Sequence, residues 1–206
     1  MAKGGFTMSS ARAQKIPLRI ALLGAESTGK STLAQILLEH FESNNIAAVL
    51  VPEMLREFCT KNLRVPLANE QNDILQSQIK AEQDAESGCS SVPPRIVISD
   101  CAPITIAIYS SLYFGDSSLF GQALEQHKRY AMSFVMATDI GWHADPLPFM
   151  RDGVKIQTQF HERLLAWLKT HSIDYKLIEG KGPMRSENAL SAIIKFIFNL
   201  HLCAIP

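Results

Sequence analysis

The nine residues from Gly24 to Thr32, GAESTGKST, join the requirements of an anion cradle to those of a cation site. Gly24 lets the chain turn off the apolar run LRIALL, and Gly29 leaves room for backbone N–H groups to crowd around phosphate oxygens. Lys30 brings a point charge to β- and γ-phosphates, and Ser31 offers a hydroxyl to Mg²⁺. Ala25, Glu26, Ser27, Thr28 and Thr32 complete the loop and the first helical turn. The pattern G-x-x-x-x-G-K-[ST] is therefore whole, follows a strand-like run and opens a helix, and it predicts ATP and Mg²⁺ as ligands. The plain alternative is a glycine-rich strand-to-helix turn with no ligand.

Magnesium held by phosphates and one hydroxyl needs a carboxylate at a neighbouring strand end. RIVISD supplies Asp100 at the carboxyl end of the third apolar run, beside the strand that feeds the loop. A metal or base role is expected for it, with a helix N-cap as the alternative. The second run ends in VPEMLREF, where Glu53 and Arg56 are three apart and share a helix face. Ligands of open α/β sheets bind beyond the carboxyl ends of the strands, so this pair faces the crevice. An ordinary solvated ion pair is the competing reading.

These groups need a scaffold. Five short β-branched or apolar runs, 18–23, 46–51, 95–99, 133–138 and 174–179, alternate with helical patterns at 30–43, 69–86, 102–115, 156–171 and 186–202. Alternation of this kind predicts an α/β fold of the P-loop NTPase type, a five-stranded parallel sheet with helices on both faces. The segment 102–115 is apolar nearly all round, which predicts burial. SGCSSVPPR reads as a surface excursion, and GWHADPLPFMRDGVK (141–155) as a proline-rich loop longer than a strand–helix link requires.

The chain has 206 residues, 47% of them hydrophobic and 19% charged, enough for one sizeable core. Residues 1–17 are polar, basic and free of acids, and read as a flexible tail with a transit peptide as the alternative; 18–206 read as one domain. Twenty basic residues balance twenty acidic ones, which argues against a nucleic-acid surface. Four cysteines without a CxxC pair and six dispersed histidines argue against a zinc site and for a reducing, cytoplasmic setting. No apolar run is long enough to span a bilayer.

Glu53-x-x-Arg56 together with GAESTGKST resembles the nicotinamide riboside kinase-like domain of the NadR type, a bacterial P-loop group. SDCAPITIAIYSSLYFGD, DIGWHADPLPFMRDG and YKLIEGKGPMR extend the resemblance from about Arg19 to Phe198. It implies transfer of the γ-phosphate of ATP to the 5′-hydroxyl of nicotinamide riboside, giving nicotinamide mononucleotide. By the same resemblance, residues 24–32 hold ATP and Mg²⁺, and Glu53, Arg56 and Asp100 face acceptor and metal. Trp142 and Asp145 lie against the acceptor, Arg151 belongs to a lid-like loop, and Arg185 lies near the adenine. Relatives commonly carry an additional arginine where this chain has Gln157. The partner expected is a small nucleoside; the alternatives are a kinase for another nucleoside and an AAA-like ATP-binding regulatory module.

Overall fold

The computed structural model describes residues 17–88, 96–144 and 153–202. Strands β1 (Leu18–Leu23), β2 (Ala48–Val51), β3 (Ile96–Ser99), β4 (Met132–Met136) and β5 (Lys176–Ile178) form one parallel sheet in the order β2-β3-β1-β4-β5. Parallel neighbours require long crossovers, and helices supply them. These are α1 (Lys30–Ser43), α2 (Met54–Asn62), α3 (Gln71–Ser87), α4 (Pro103–Phe114), α5 (Phe120–His127), α6 (Gly153–Thr170) and α7 (Pro183–Leu202). A 3-10 turn, Ala68–Glu70, leads into α3.

β1 is the centre, paired with β3 (Leu18 opposite Ile96) and with β4 (Leu23 opposite Val135). Successive strand residues point to opposite faces, so its apolar run feeds two cores. Ile20 and Leu22 join Leu33 and Leu37 of α1 and Ile193 of α7. Ala21 and Leu23 join Ile79 of α3, Ile104 and Ile108 of α4 and Phe160 of α6. A strand covered on both faces reads as a continuous apolar run because neither face meets water.

α4 buries every residue from Pro103 to Ser110, as its all-round apolar sequence predicts. It starts on proline, whose missing N–H is an orphan there anyway, and stops at Gly115 with φ 68°. Its last turn emerges as Tyr113 and Phe114, both substantially exposed.

Arg19 interrupts the apolar run of β1 and is nevertheless buried. It shares the face of Ala21 and Leu23, where its guanidinium pairs with Glu82 of α3, forms an ion pair with Glu86 at 3.0 Å and lies 4.7 Å from the Tyr130 ring centroid. The Tyr130 hydroxyl donates to Glu82 as well. Burial raises the Glu82 pKa, while the bond from Tyr130 and the charge of Arg19 act against that rise. This cluster ties α3 to the amino-terminal end of the sheet, away from the phosphate loop.

Two elements differ from the sequence expectation. α5 is not marked by any strong periodic run, and its eight residues are held by Leu119 and Ala123 in the core. β5 is three residues rather than six, because Lys176 and Leu177 on this edge strand remain exposed and only Ile178 is buried.

Candidate functional site

Leu23 runs straight into Gly24, whose φ is 155°. A Cβ there would lie 2.9 Å from Thr28 Oγ1 and 3.1 Å from Met136 Cβ, so the close return of the loop onto β4 requires glycine. Gly29, at φ 79°, is the residue before α1. The helix opens without a side-chain cap and without an acidic residue in its first turn. Its leading N–H groups and the positive end of its dipole are thus left to an external anion. Thr28 Oγ1 and Lys30 Nζ both donate to the Ala25 carbonyl at 2.8 Å, and Ser31 and Thr32 are exposed on the cleft.

The loop is braced from four directions. The Glu26 N–H donates to the Tyr109 hydroxyl at 3.3 Å, and Gln157 Nε2 of α6 donates to the Glu26 carbonyl at 3.0 Å. The His143 N–H donates to Ser27 Oγ at 2.8 Å. Arg185 Nη1, from the start of α7, donates to the Thr28 carbonyl at 2.8 Å. Its Nε reaches the Gly180 carbonyl at 2.9 Å, and Nη2 reaches the Ala137 carbonyl at 3.3 Å and the Asp139 carboxylate. Sequence resemblance put Arg185 beside the adenine. In the structure its guanidinium is buried and spread over these four protein acceptors, and it acts as a strut linking the phosphate loop to the ends of β4 and β5.

Glu53 follows β2 and precedes α2, with a side chain 12% exposed; Arg56 one turn later is 40% exposed, and their charged groups approach to 3.9 Å. Asp100 ends β3, its N–H donating to the Val51 carbonyl of β2 at 3.0 Å. The three charges Glu53, Lys30 and Asp100 converge on Cys101. Burial raises the Cys101 thiol pKa far above its usual value; the Glu53 and Asp100 carboxylates push it up further, and Lys30 pulls it down.

Asp100 Oδ1 is buried and has no hydrogen-bond partner among the described residues. An orphaned carboxylate oxygen at a strand end fits the donor set of Mg²⁺, which takes one or two protein oxygens and fills its octahedron with phosphates and water. No cluster of three or more His, Cys, Asp or Glu suited to a metal occurs among the described residues, so a metal held wholly by protein side chains is not supported there.

A cleft of about 770 Å³ collects most of these groups. One end is formed by Glu26 to Thr32, and Glu53 and Arg56 also line it. Most of the rest is apolar or aromatic: Leu55 and Cys59 of α2, the strap Val65-Pro66-Leu67, and Tyr109, Tyr113 and Phe114 of α4, with Gln71 and His143 as polar exceptions. Tyr109 and Tyr113 stack with centroids 6.0 Å apart and planes 13° from parallel.

The structure therefore brings Glu26, Ser27, Thr28, Gly29, Lys30, Ser31, Thr32, Glu53 and Arg56 to one cleft, with Gly24 and Ala25 beneath the loop. Asp100 adjoins from the end of β3 but does not line the cleft. Trp142 does not line it either, although its successors His143 and Ala144 do. Asp145, Arg151 and Asp152 lie outside the described residues. The strap, Gln71, Tyr109, Tyr113 and His143 carry no role in the sequence reading. The Tyr109–Tyr113 pair was available as an i,i+4 spacing on one helix face, whereas the strap gives no periodic signal.

A family model described as an AAA domain matches residues 19–185, and the chain belongs to that family of P-loop domains. Among solved structures, the fold is similar to that of NadR proteins. A NadR protein in complex with NR is 20% identical at a TM-score of 0.68, the match covering 89% of this chain and 52% of that one. A NadR protein in complex with NAD and AMP-PNP is 18% identical at 0.67, covering 88% and 50%. The chain thus spans about half the length of these NadR structures. The deoxyadenosine kinase from M. mycoides with bound dATP is 8% identical at 0.56, covering 85% of this chain and 98% of that one. No curated protein matches the sequence.

Proposed function

We propose that the chain is an ATP-dependent nucleoside kinase that phosphorylates the 5′-hydroxyl of nicotinamide riboside to give nicotinamide mononucleotide. The observation that carries this reading is the continuity of one cleft. A phosphate loop, an acid–arginine pair, stacked tyrosines and aliphatic side chains all line it. A flat heteroaromatic ring matches the aromatic and aliphatic lining, and a ribose hydroxyl matches the carboxylate. The fold neighbours point the same way, one bound to NR, one to NAD and AMP-PNP and one a deoxyadenosine kinase.

Phosphoryl transfer asks for in-line positioning and charge neutralisation. The N–H groups of residues 25–32 and Lys30 hold the β- and γ-phosphates. Ser31 and Asp100 are the residues that would hold Mg²⁺, which neutralises phosphate charge when bound. Glu53 orients the acceptor hydroxyl and takes its proton as the bond to phosphorus forms. Arg56 offsets the Glu53 charge and faces the acceptor. Asp145 borders the acceptor and Arg151 closes over the γ-phosphate, whereas Trp142, which does not line the cleft, is given no contact with the acceptor. Closure excludes water, which competes with the nucleoside as phosphoryl acceptor.

The family description also fits an ATPase whose hydrolysis drives a partner protein. ADP release measured against a panel of nucleosides separates the two. A kinase releases ADP quickly only when its nucleoside is present; an ATPase of the other kind releases it regardless of nucleoside.

A further inference from the structure

One polar side chain in the apolar half of the cleft has unfinished hydrogen bonding. Gln71 is the first residue of α3, it lines the cleft, and it is 3% exposed. Its Oε1 is buried and has no hydrogen-bond partner among the described residues. Buried amide oxygens are nearly always paired, so an orphan in the wall of a ligand cleft marks a contact that a ligand completes. α3 packs against both α2 and α4, and Gln71 lines the cleft together with Leu55 and Cys59 of α2 and Tyr109 and Tyr113 of α4.

The position of Gln71 is also held firmly. Arg64 binds Glu70 bidentately, Nη1 to Oε2 at 2.7 Å and Nη2 to Oε1 at 2.6 Å. The same Glu70 Oε2 accepts the Leu67 N–H at 2.7 Å, and the Arg64 guanidinium lies 5.2 Å from the Phe58 ring centroid. The Arg64 hydrogen bonds first, and then the Leu67 N–H, hold the Glu70 carboxyl down at about 2. This clamp closes the chain around Val65-Pro66-Leu67 and sets the first turn of α3, so Gln71 is presented from a fixed backbone rather than from a loose loop.

We propose that Gln71 is a specificity-determining residue that reads the acceptor's ring: its side-chain oxygen accepts an N–H donor, a carboxamide or an exocyclic amine, from the flat heterocycle. The inference rests on the nucleoside-kinase reading above and adds to it a chemical class of base. A ring with a carboxylate at that position presents only acceptors to Oε1 and is met only if the Gln71 amide turns over to donate from Nε2, so it is disfavoured.

Steady-state kinetics of the wild type, Gln71→Leu and Gln71→Glu with nicotinamide riboside and nicotinic acid riboside test this, alongside thermal denaturation without ligand. The wild type should favour the amide by at least ten-fold in kcat/KM. Gln71→Leu should raise KM for the amide about ten- to hundred-fold, with ATP KM unchanged and the preference over the acid largely gone. Its unliganded melting temperature should be unchanged or higher, since an unpaired buried oxygen has been removed; a purely structural glutamine would give a lower one. Gln71→Glu should reject the acid still more strongly. If the wild type phosphorylates nucleosides but Gln71→Leu keeps both the KM and the preference, the role of Gln71 is refuted while the kinase reading stands. If the wild type phosphorylates no nucleoside at all, both fall together.

Discussion

Replacing Arg185 by alanine tests the idea that the phosphate loop is shaped from below. Arg185 donates at 2.8 Å to Thr28 and 2.9 Å to Gly180, more weakly to Ala137 at 3.3 Å, and pairs with Asp139. Each charge-assisted bond to a carbonyl is worth about 1.5–3 kcal/mol. The Asp139 side chain is 36% exposed, so its ion pair is discounted for solvent screening and contributes little more than a fraction of that. The two short carbonyl bonds then set the loss at about 3–6 kcal/mol, on the order of 10 °C in melting temperature for a domain of this size. The Thr28 carbonyl belongs to the loop itself, so ATP affinity should fall alongside stability. Thermal denaturation and titration with a fluorescent ATP analogue measure the two effects on one preparation. Arg185→Lys should recover little, because a single ammonium cannot span acceptors on both the loop and the two strand ends. Unchanged melting temperature and ATP affinity in Arg185→Ala would refute the strut.

The carboxylates should divide by substitution. Asp100→Asn should raise the Mg²⁺ concentration needed for half-maximal turnover, and Glu53→Gln should lower kcat by roughly 10²-fold with ATP affinity little changed; identical effects of both on ATP binding alone would overturn the division. Stability should also depend on pH through His127, buried with Nε2 3.0 Å from Ser133 Oγ. Burial, aided by the charge of Arg19, lowers its pKa to about 4. An unfolded histidine protonates near 6.5, so stability is present above that pH and is lost as pH falls towards 4, up to about 3 kcal/mol. Glu82, raised by burial, acts in the opposite sense, contributing stability that is lost as pH rises. The effect is therefore read as a difference: the melting temperature of the wild type should drop more steeply between pH 6.5 and 4 than that of His127→Gln, and parallel curves would contradict it.

The phosphate-loop end of the cleft was legible in the sequence because its residues are local to one turn. Gly24, Gly29, Lys30 and Ser31 are fixed by one strand-to-helix turn, and Asp100 and Glu53 each end a strand, so the order of elements places them at the same edge of the sheet. β1, β3 and α4 were equally plain, since burial on both faces or all round writes itself as an unbroken apolar run. The apolar end was not legible, because it is assembled across distance. Val65 to Leu67 meet Tyr109 and Tyr113 only after α3 has packed against α4, and nothing in LRVPLANE announces that meeting. Arg185 shows the converse: an arginine late in the chain was assigned to the ligand, but the loop's own carbonyl oxygens use its donors first.

The destination of the γ-phosphate tests the central claim most directly. With γ-labelled ATP, Mg²⁺ and nicotinamide riboside, the account predicts label in the nucleoside 5′-monophosphate, little in inorganic phosphate, and almost none in either with Lys30→Met, whose fold should remain intact. Label released as inorganic phosphate at the same rate with and without every nucleoside offered would contradict it, and would place the protein among ATPases that act on a partner.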